Sequence, residues 1–416
     1  ARLGGLLFLA GNLQESLTVF QRAIDLARTS IGKARVCIDF GWVYYEIEHL
    51  EEARALAQQA LGLLATEADC PEVVACRGAS QTLIAQLEGI NDPESGRRAA
   101  QVALKTLEKV LEEGSRFEGK ATANFDASIL YRTLGSADKA IVFSERCLSF
   151  HLHEWERISC LALLADALRT VEQFDKAQRT LDEAIQFAKR YKPTLANLYL
   201  NLGLAQRLSG PLTKPKHLTQ AQHTFQQALL ALEADPYQQY KSELYSDIYM
   251  NLAAVCYELG DFKGAAAAFD EVLQSATKNQ NHLCEAQFWL GRCHQAEGSH
   301  TQAQSYFEKV LVSSYSSKDQ KVGAQEGLAR SLYELREYGK AAEIFKKLSL
   351  SYPQEDSHQA TTILLLGYCH EGLRDHRGAR ECYEEVLALP HALEADKTSA
   401  REGLRRLPPT ERQTTH

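Results

Sequence analysis

Small and bulky apolar residues recur along this chain at one fixed set of intervals. A small residue is followed twelve positions later by alanine, four later by a bulky residue, and three later by another apolar one. Gly291, Ala303, Phe307 and Val310 show the set whole, as do Ala253, Ala265, Phe269 and Val272, and Gly367, Ala379, Tyr383 and Val386. Residues three, four and seven apart share one face of a helix, so each set predicts two amphipathic helices meeting face to face. The small residue lets the helices approach, and the bulky one fills the crevice beside it. Turn signals separate the faces, among them Gly135-Ser136, Gly260-Asp261 and Gly298-Ser299.

The leading small residues are Gly4, Gly41, Gly78, Ser128, Ala165, Gly203, Ala253, Gly291, Ala329 and Gly367, with gaps of 37, 37, 50, 37, 38, 50, 38, 38 and 38. Self-similarity at such a period means stacked supersecondary units. Two gaps break the rhythm. In the third unit the extra residues include Asn91-Asp92-Pro93-Glu94-Ser95-Gly96, and in the sixth Ser209-Gly210-Pro211-Leu212-Thr213-Lys214-Pro215. Their Pro, Gly and polar content predicts inter-helix loops. The remaining excess is expected to extend the linkers near Gly114 and Pro236.

Small–apolar–small spacing on paired helices resembles the tetratricopeptide repeat, often closed by a proline. Pro353 stands where that proline belongs and Pro390 one residue short of it. The resemblance covers residues 1–391 in about ten units, each three or four residues longer than the usual one. It implies an all-α solenoid wound as a right-handed superhelix, each helix pair extended by about one turn. The first unit lacks most of the start of its first helix, and no Met precedes Ala1, so the chain reads as a piece of something longer or as an N-terminally trimmed chain. Residues 392–407, with Leu393, Ala400, Leu404 and Leu407 on one face, predict a capping helix of the kind terminal repeats need. Residues 408–416, opening on Pro408-Pro409, read as a polar tail.

A globule of 416 residues would split into domains, whereas a solenoid grows linearly. The net charge of −8 disfavours broad contact with nucleic acid or anionic membranes. No apolar run reaches transmembrane length; Leu3 to Gly11 has a signal-like look, but Gly4 and Gly11 keep the repeat register. Ten cysteines are scattered without a C-x-x-C pair, and several stand at core positions, Cys147 where Ala184 and Ala228 stand in other units. Free, buried thiols and a reducing cytoplasm are expected.

Candidate chemistry is thin. Gly114-Ser115-Arg116-Phe117-Glu118-Gly119-Lys120-Ala121 has the spacing of a phosphate-cradling loop, but Ala121 replaces the required hydroxyl and a helix, not a strand, precedes it. Cys293-His294 and Cys369-His370 recur with the repeat. Adjacent helical residues point about 100° apart, so neither dipeptide chelates one ion readily. His151-Leu152-His153-Glu154 lacks the second histidine of H-E-x-x-H. Neither catalysis, cofactor nor metal is expected.

What the resemblance implies is recognition. In the family, the first helix of each pair lines a concave groove. Carried onto this sequence, one groove position gives Arg132, Arg169 and Arg207 in three consecutive units, a neighbouring one Arg292 and Arg330, and a third Asn201 and Asn251. Trp42, Tyr45, Tyr257, Phe288, Tyr333 and Tyr368 are expected on the same surface. Guanidinium groups repeated along a groove suit the carboxylates or carbonyls of an extended segment, and Tyr, Trp and Arg are favoured at interaction hot spots. An arginine there also has an alternative role, pairing with an acid of the next unit. The family's Lys/Asn clamp for chaperone C-termini has no counterpart at these positions. The expected function is therefore a non-catalytic module that binds a protein or extended peptide with acidic residues. Its variants are the sensor part of a multidomain signalling ATPase, in contact with domains preceding Ala1, and a plain adaptor. An RNA-binding solenoid is the alternative from another class.

Overall fold

The small–bulky register becomes physical contact in the structure. A Cβ placed on Gly4 would lie 2.7 Å from the ring of Phe20, on Gly203 2.5 Å from Phe225, on Gly291 2.7 Å from Phe307, and on Gly367 2.6 Å from Tyr383. Each glycine therefore admits an aromatic ring of the second helix of its pair, sixteen positions later except at Gly203, where the insertion makes it twenty-two. Ala303, Phe307 and Val310 are fully buried, and so are Ala265 and Val272. Enlarging Ala303 to Leu is expected to destabilise the protein by about 1–3 kcal/mol through overpacking. A urea-unfolding midpoint unchanged by Ala303→Leu would contradict this register.

This computed structural model describes residues 2–111, 117–190, 192–210, 215–277, 279–351 and 357–408. Among the described residues there are α-helices and one 3-10 turn, and no strand. The chain forms two compact units, residues 1–259 and 260–416. The first contains the pairs α1 (Arg2–Leu9) with α2 (Leu13–Leu26), α3 (Ser30–Glu46) with α4 (Leu50–Leu64), and α5 (Pro71–Asn91) with α6 (Pro93–Glu108). It continues with α7 (Lys120–Thr133) and α8 (Ala137–Leu148), α9 (Glu154–Thr170) and α10 (Phe174–Ala188), and α11 (Lys192–Leu208) and α12 (Lys216–Glu233), and ends on α13 (Ser242–Glu258). The second opens on α14 (Phe262–Gln274). It holds α15 (Gln280–Ala296) with α16 (His300–Val312), α17 (Lys318–Glu334) with α18 (Tyr338–Ser351), α19 (Ser357–Gly372) with α20 (His376–Ala388), and the terminal α21 (Glu394–Arg406). In each unit the helices stack as an α-solenoid.

One turn joins the helices of most pairs. The residue seven past the leading small one takes a left-handed φ: Gly11, Gly135, Gly260 and Gly298, but also Glu48, Glu172, Arg336 and Arg374. At the next position Asn12, Asp261 and Asp375 accept hydrogen bonds from backbone N–H groups of the following helix, which satisfies a donor the helix leaves open. The third unit departs from this plan and corrects the loop expected at Asn91 to Gly96. That insertion lengthens both helices: α5 runs through Asn91, the Asp92 carboxylate caps α6 by accepting from the Glu94 N–H, and Pro93 opens α6. Gly89 and Gly96 sit where the extended helices touch, a Cβ on Gly96 lying 2.5 Å from the Gly89 Cα. Pro211 to Lys214, Gly114 to Arg116, Pro353 and the tail from Pro409 lie outside the described residues.

The linker near Pro236 is no slack connection. After α12, Gln238–Tyr240 forms the 3-10 turn, and this stretch reaches back to the start of the same unit. The Tyr237 ring stacks on Phe8 at 4.6 Å between centroids, and its hydroxyl donates to the Phe8 carbonyl at 2.6 Å. The Glu48 carboxylate accepts from the Ser242 hydroxyl and the Glu243 N–H. Buried beneath, Lys241 and Asp235 form an ion pair at 2.8 Å. The first unit thus closes on itself, its sixth pair tied to its first two. At the far end of the second unit, α21 buries Ala400 and Gly403, the latter against the Tyr383 ring.

Candidate functional site

Contact between neighbouring pairs identifies the inner face. Within the first unit α1 touches α3, and the same holds for α3 and α5, α5 and α7, α7 and α9, α9 and α11, and α11 and α13. These are the first helices of their pairs, drawn together while the second helices splay outward. The concave face of this unit is therefore lined by odd-numbered helices, and residues at one register of them form stripes along it.

Arg132, Arg169 and Arg207 form one stripe, four positions past the leading small residue. None projects alone. Arg132 contacts the Asp166 carboxylate at 3.2 Å and the Gln86 side-chain oxygen at 3.3 Å. Arg169 contacts the other oxygen of Asp166, and its Nε is buried without a partner. Arg207 donates to Glu258 through two nitrogens and lies 3.4 Å from the Asn251 side-chain oxygen. Their side chains remain 42, 26 and 25 % exposed. Asn201 donates within its own helix to Asn197, and Asn251 to the Asp247 carbonyl. Trp42 and Tyr45 meet edge to face at 5.4 Å and pack partly into the core, Tyr45 within electrostatic reach of Arg132. Tyr257 is half-buried on α13.

The other candidates belong to the second unit and are described separately. Arg292 lies over the Phe288 ring at 5.7 Å, and Arg330 pairs with Glu326 at 2.8 Å on its own helix. Tyr333 and Tyr368 pack partly buried against core clusters, Tyr368 edge to face with Tyr383.

A second stripe, two positions before the leading small residue, holds more than Asn201 and Asn251. The same register carries Asp39, Cys76 and Asp126 on α3, α5 and α7. Asp126 is 2 % exposed and its Oδ2 has no hydrogen-bond partner. Burial pushes its carboxyl up to about 8, with the charge of Asp39 adding to the shift. Asp39 opens to solvent at its surface yet is closely ringed by protein, which raises it to about 6; Glu156 of α9 adds to the rise and Arg35 opposes it. Burial also raises the Cys76 thiol, against the pull of Arg35. Arg35 itself is held by the Glu118 carboxylate at 3.2 Å and the Glu118 carbonyl at 3.3 Å. The inner helices of the first unit therefore carry a basic stripe at one register and the carboxyl groups of Asp39 and Asp126 at another.

All ten cysteines are free, nine of them buried. His294 stacks on Tyr306 and His370 pairs with Asp375 at 2.8 Å. Among the described residues no three His, Cys, Asp or Glu side chains converge as a metal site requires, and no helix is long and apolar enough to cross a membrane.

Paired antiparallel helices stacked in register define a helical-repeat scaffold. The chain is a tetratricopeptide-repeat protein: three tetratricopeptide-repeat family models match residues 1–65, 217–280 and 285–313. A search of curated proteins finds no match to it. Among solved structures it is similar to the quorum sensor NprR from B. thuringiensis in its apo form, with a TM-score of 0.54 and 11 % identity over 85 % of this chain and 98 % of that one. The apo form of RapI gives 0.53 and 13 %, covering 86 and 99 %. A Rap protein complexed with competence and sporulation factor gives 0.51 and 12 %, covering 89 and 99 %. At such identities the likeness is one of fold.

Proposed function

We propose that the first unit is a non-catalytic binding module that takes an extended protein segment along its concave face. The observation that carries this reading is the stripe of Arg132, Arg169 and Arg207, guanidinium groups at one register of three consecutive inner helices. Each is held by neighbouring side chains while part of its surface stays open. A guanidinium has five donors, and a pre-oriented fork loses less freedom when a carboxylate or carbonyl of a ligand joins it. Asn201 and Asn251 add amides suited to the backbone of an extended chain. Scaffolds of this fold do take ligands: one structural neighbour was solved with a competence and sporulation factor. The carboxylates of Asp39 and Glu156 on the same unit's inner helices would repel an RNA backbone, which sets the protein reading ahead of the RNA one. The face suits the sensor of a larger signalling protein and an adaptor alike, and a nucleotide-binding module upstream in the full reading frame would favour the sensor.

The test uses segments selected from a displayed peptide library on the wild-type protein. Charge reversal would set a new carboxylate beside Asp166 or Glu258, so neutral substitutions are cleaner. The triple variant Arg132→Gln/Arg169→Gln/Arg207→Gln is expected to lose on the order of 2 kcal/mol of affinity or more per hot spot, with its far-UV circular dichroism unchanged. Lys105→Gln, exposed on the outer helix α6, should bind as wild type does. Equal binding by the triple variant, or no selectable segment at all, would overturn the assignment.

A further inference from the structure

The arginine stripe is not uniform, and the difference lies in the acids that hold it. Arg132 of α7 and Arg169 of α9 share one carboxylate. Asp166, three residues before Arg169, meets that guanidinium through Oδ1 and reaches across to Arg132 through Oδ2 at 3.2 Å. Like charges on neighbouring helices repel, so this carboxylate is what lets two guanidinium groups stand within its own width. The other side of Arg132 is fixed as well. Its second terminal nitrogen donates to the Gln86 side-chain oxygen at 3.3 Å, and the Gln86 amide donates to the Thr133 hydroxyl at 2.9 Å, which orients it. These contacts run across α5, α7 and α9. Two cations and one carboxylate leave one net positive charge there. Asp166 is less exposed than either arginine, so an approaching group meets the guanidiniums first. Arg207 differs: Glu258 of α13 accepts from two of its nitrogens, and that pair is neutral.

We propose that Asp166 is a positioning residue that makes Arg132 and Arg169 one site for a single side-chain carboxylate of the bound segment, while the Arg207–Glu258 pair takes no acid. This rests on the reading of the concave face as a segment-binding groove and names the charge one position of the segment carries. Asp166 shows that the two oxygens of one carboxylate can bridge these guanidiniums. A ligand carboxylate bridges them likewise, through donors that Asp166 leaves open. Its charge balances the one left over. A phosphate monoester carries about 1.5 to 2 negative charges and would set an excess beside Asp166. Inner helices lie on both sides of the site, α3 and α5 before it and α11 and α13 after it. An extended segment therefore runs past it and offers a side chain rather than its C-terminus. One required acid at a set place fixes the register of the segment.

Library selection on wild type and on Glu258→Gln gives the first test. Wild type is expected to enrich Asp or Glu at one fixed position, and Glu258→Gln to add a second. In a synthetic enriched segment, replacing the acid by Gln should weaken binding to wild type roughly tenfold or more, whereas amidating the C-terminus should leave it unchanged. The segment is then made with phosphoserine in place of the acid. Wild type should bind the carboxylate form more tightly, Asp166→Asn should prefer the phosphate form, and Asp166→Glu should keep the wild-type order. Each protein is judged by the ratio of its two affinities, so a general loosening of the groove cancels. Wild type enriching acids at no position or at two, no second position in Glu258→Gln, or loss of binding on amidation would overturn the assignment and leave the groove reading standing. So would a preference for the phosphate form in wild type, or one ratio common to wild type and Asp166→Asn. No selectable segment would overturn both.

Discussion

Replacing Asp235 by alanine is expected to destabilise the first unit by about 3–5 kcal/mol, the usual cost of leaving a buried charge without its partner. Asp235 and Lys241 pair at 2.8 Å with side chains 0 and 6 % exposed. The second oxygen of Asp235 accepts the Tyr237 N–H at 2.8 Å, so the carboxylate also shapes the turn that presents Tyr237 to Phe8. Loss of Asp235 therefore removes a counter-ion and loosens the tie between residues 235–243 and the first two pairs. Urea unfolding should report the stability loss, and amide exchange should speed up in α1 and α2. The double change Asp235→Leu/Lys241→Met, which replaces the pair by apolar groups, should recover most of the loss. A drop below about 1 kcal/mol for Asp235→Ala would mean that this tie contributes little to the unit.

Asp126→Asn is expected to act in the opposite direction, and to do so in a pH-dependent way. The Asp126 carboxyl is raised to about 8 in the folded protein, against an ordinary value of about 3.9. Between those values the unfolded chain has lost a proton that the folded chain keeps. The unfolded state then binds fewer protons, so this group's contribution falls as pH rises from about 4 to about 8 and levels off above. Asparagine cannot ionise, which removes the slope. Its amide brings new donors that need partners, so the net gain at pH 8 is roughly 1–3 kcal/mol, less than the full shift implies. At pH 4 the variant should be no more stable than wild type. Thermal or urea midpoints of the two proteins, compared across this range, give the difference directly. Parallel curves would mean that Asp126 is ionised in the folded protein.

The pairing of helices was legible in the sequence because it is local. Sixteen residues separate Gly291 from Phe307, and both helical periodicity and the need for a small residue are written in that span. The turns were half legible. Gly135 and Gly298 announce the left-handed position, but Glu172 and Arg374 occupy it equally and carry no such signal. Asn91 to Gly96 misled because Pro and Gly are read as loop formers; here Pro93 sits in the first turn of a helix, where no N–H is missed. Asn201 and Asn251 were found by register, whereas Asp39, Cys76 and Asp126 lie at the same register and could have been found by counting two back from Gly41, Gly78 and Ser128. The pairing of Arg132 and Arg169 with one Asp166 depends on how neighbouring repeats are rotated. The contact of Tyr237 with Phe8 depends on curvature summed over six pairs, which no local pattern encodes.

Amide hydrogen exchange of the whole chain, with and without a selected segment bound, tests the central claim most directly. The concave face of the first unit as binding surface predicts slowed exchange in α7, α9, α11 and α13, with outer helices such as α6 and α10 unchanged. Binding is also expected to fail in the triple arginine variant. Protection confined to outer helices or to the second unit, with those inner helices exchanging as in the free protein, would contradict it.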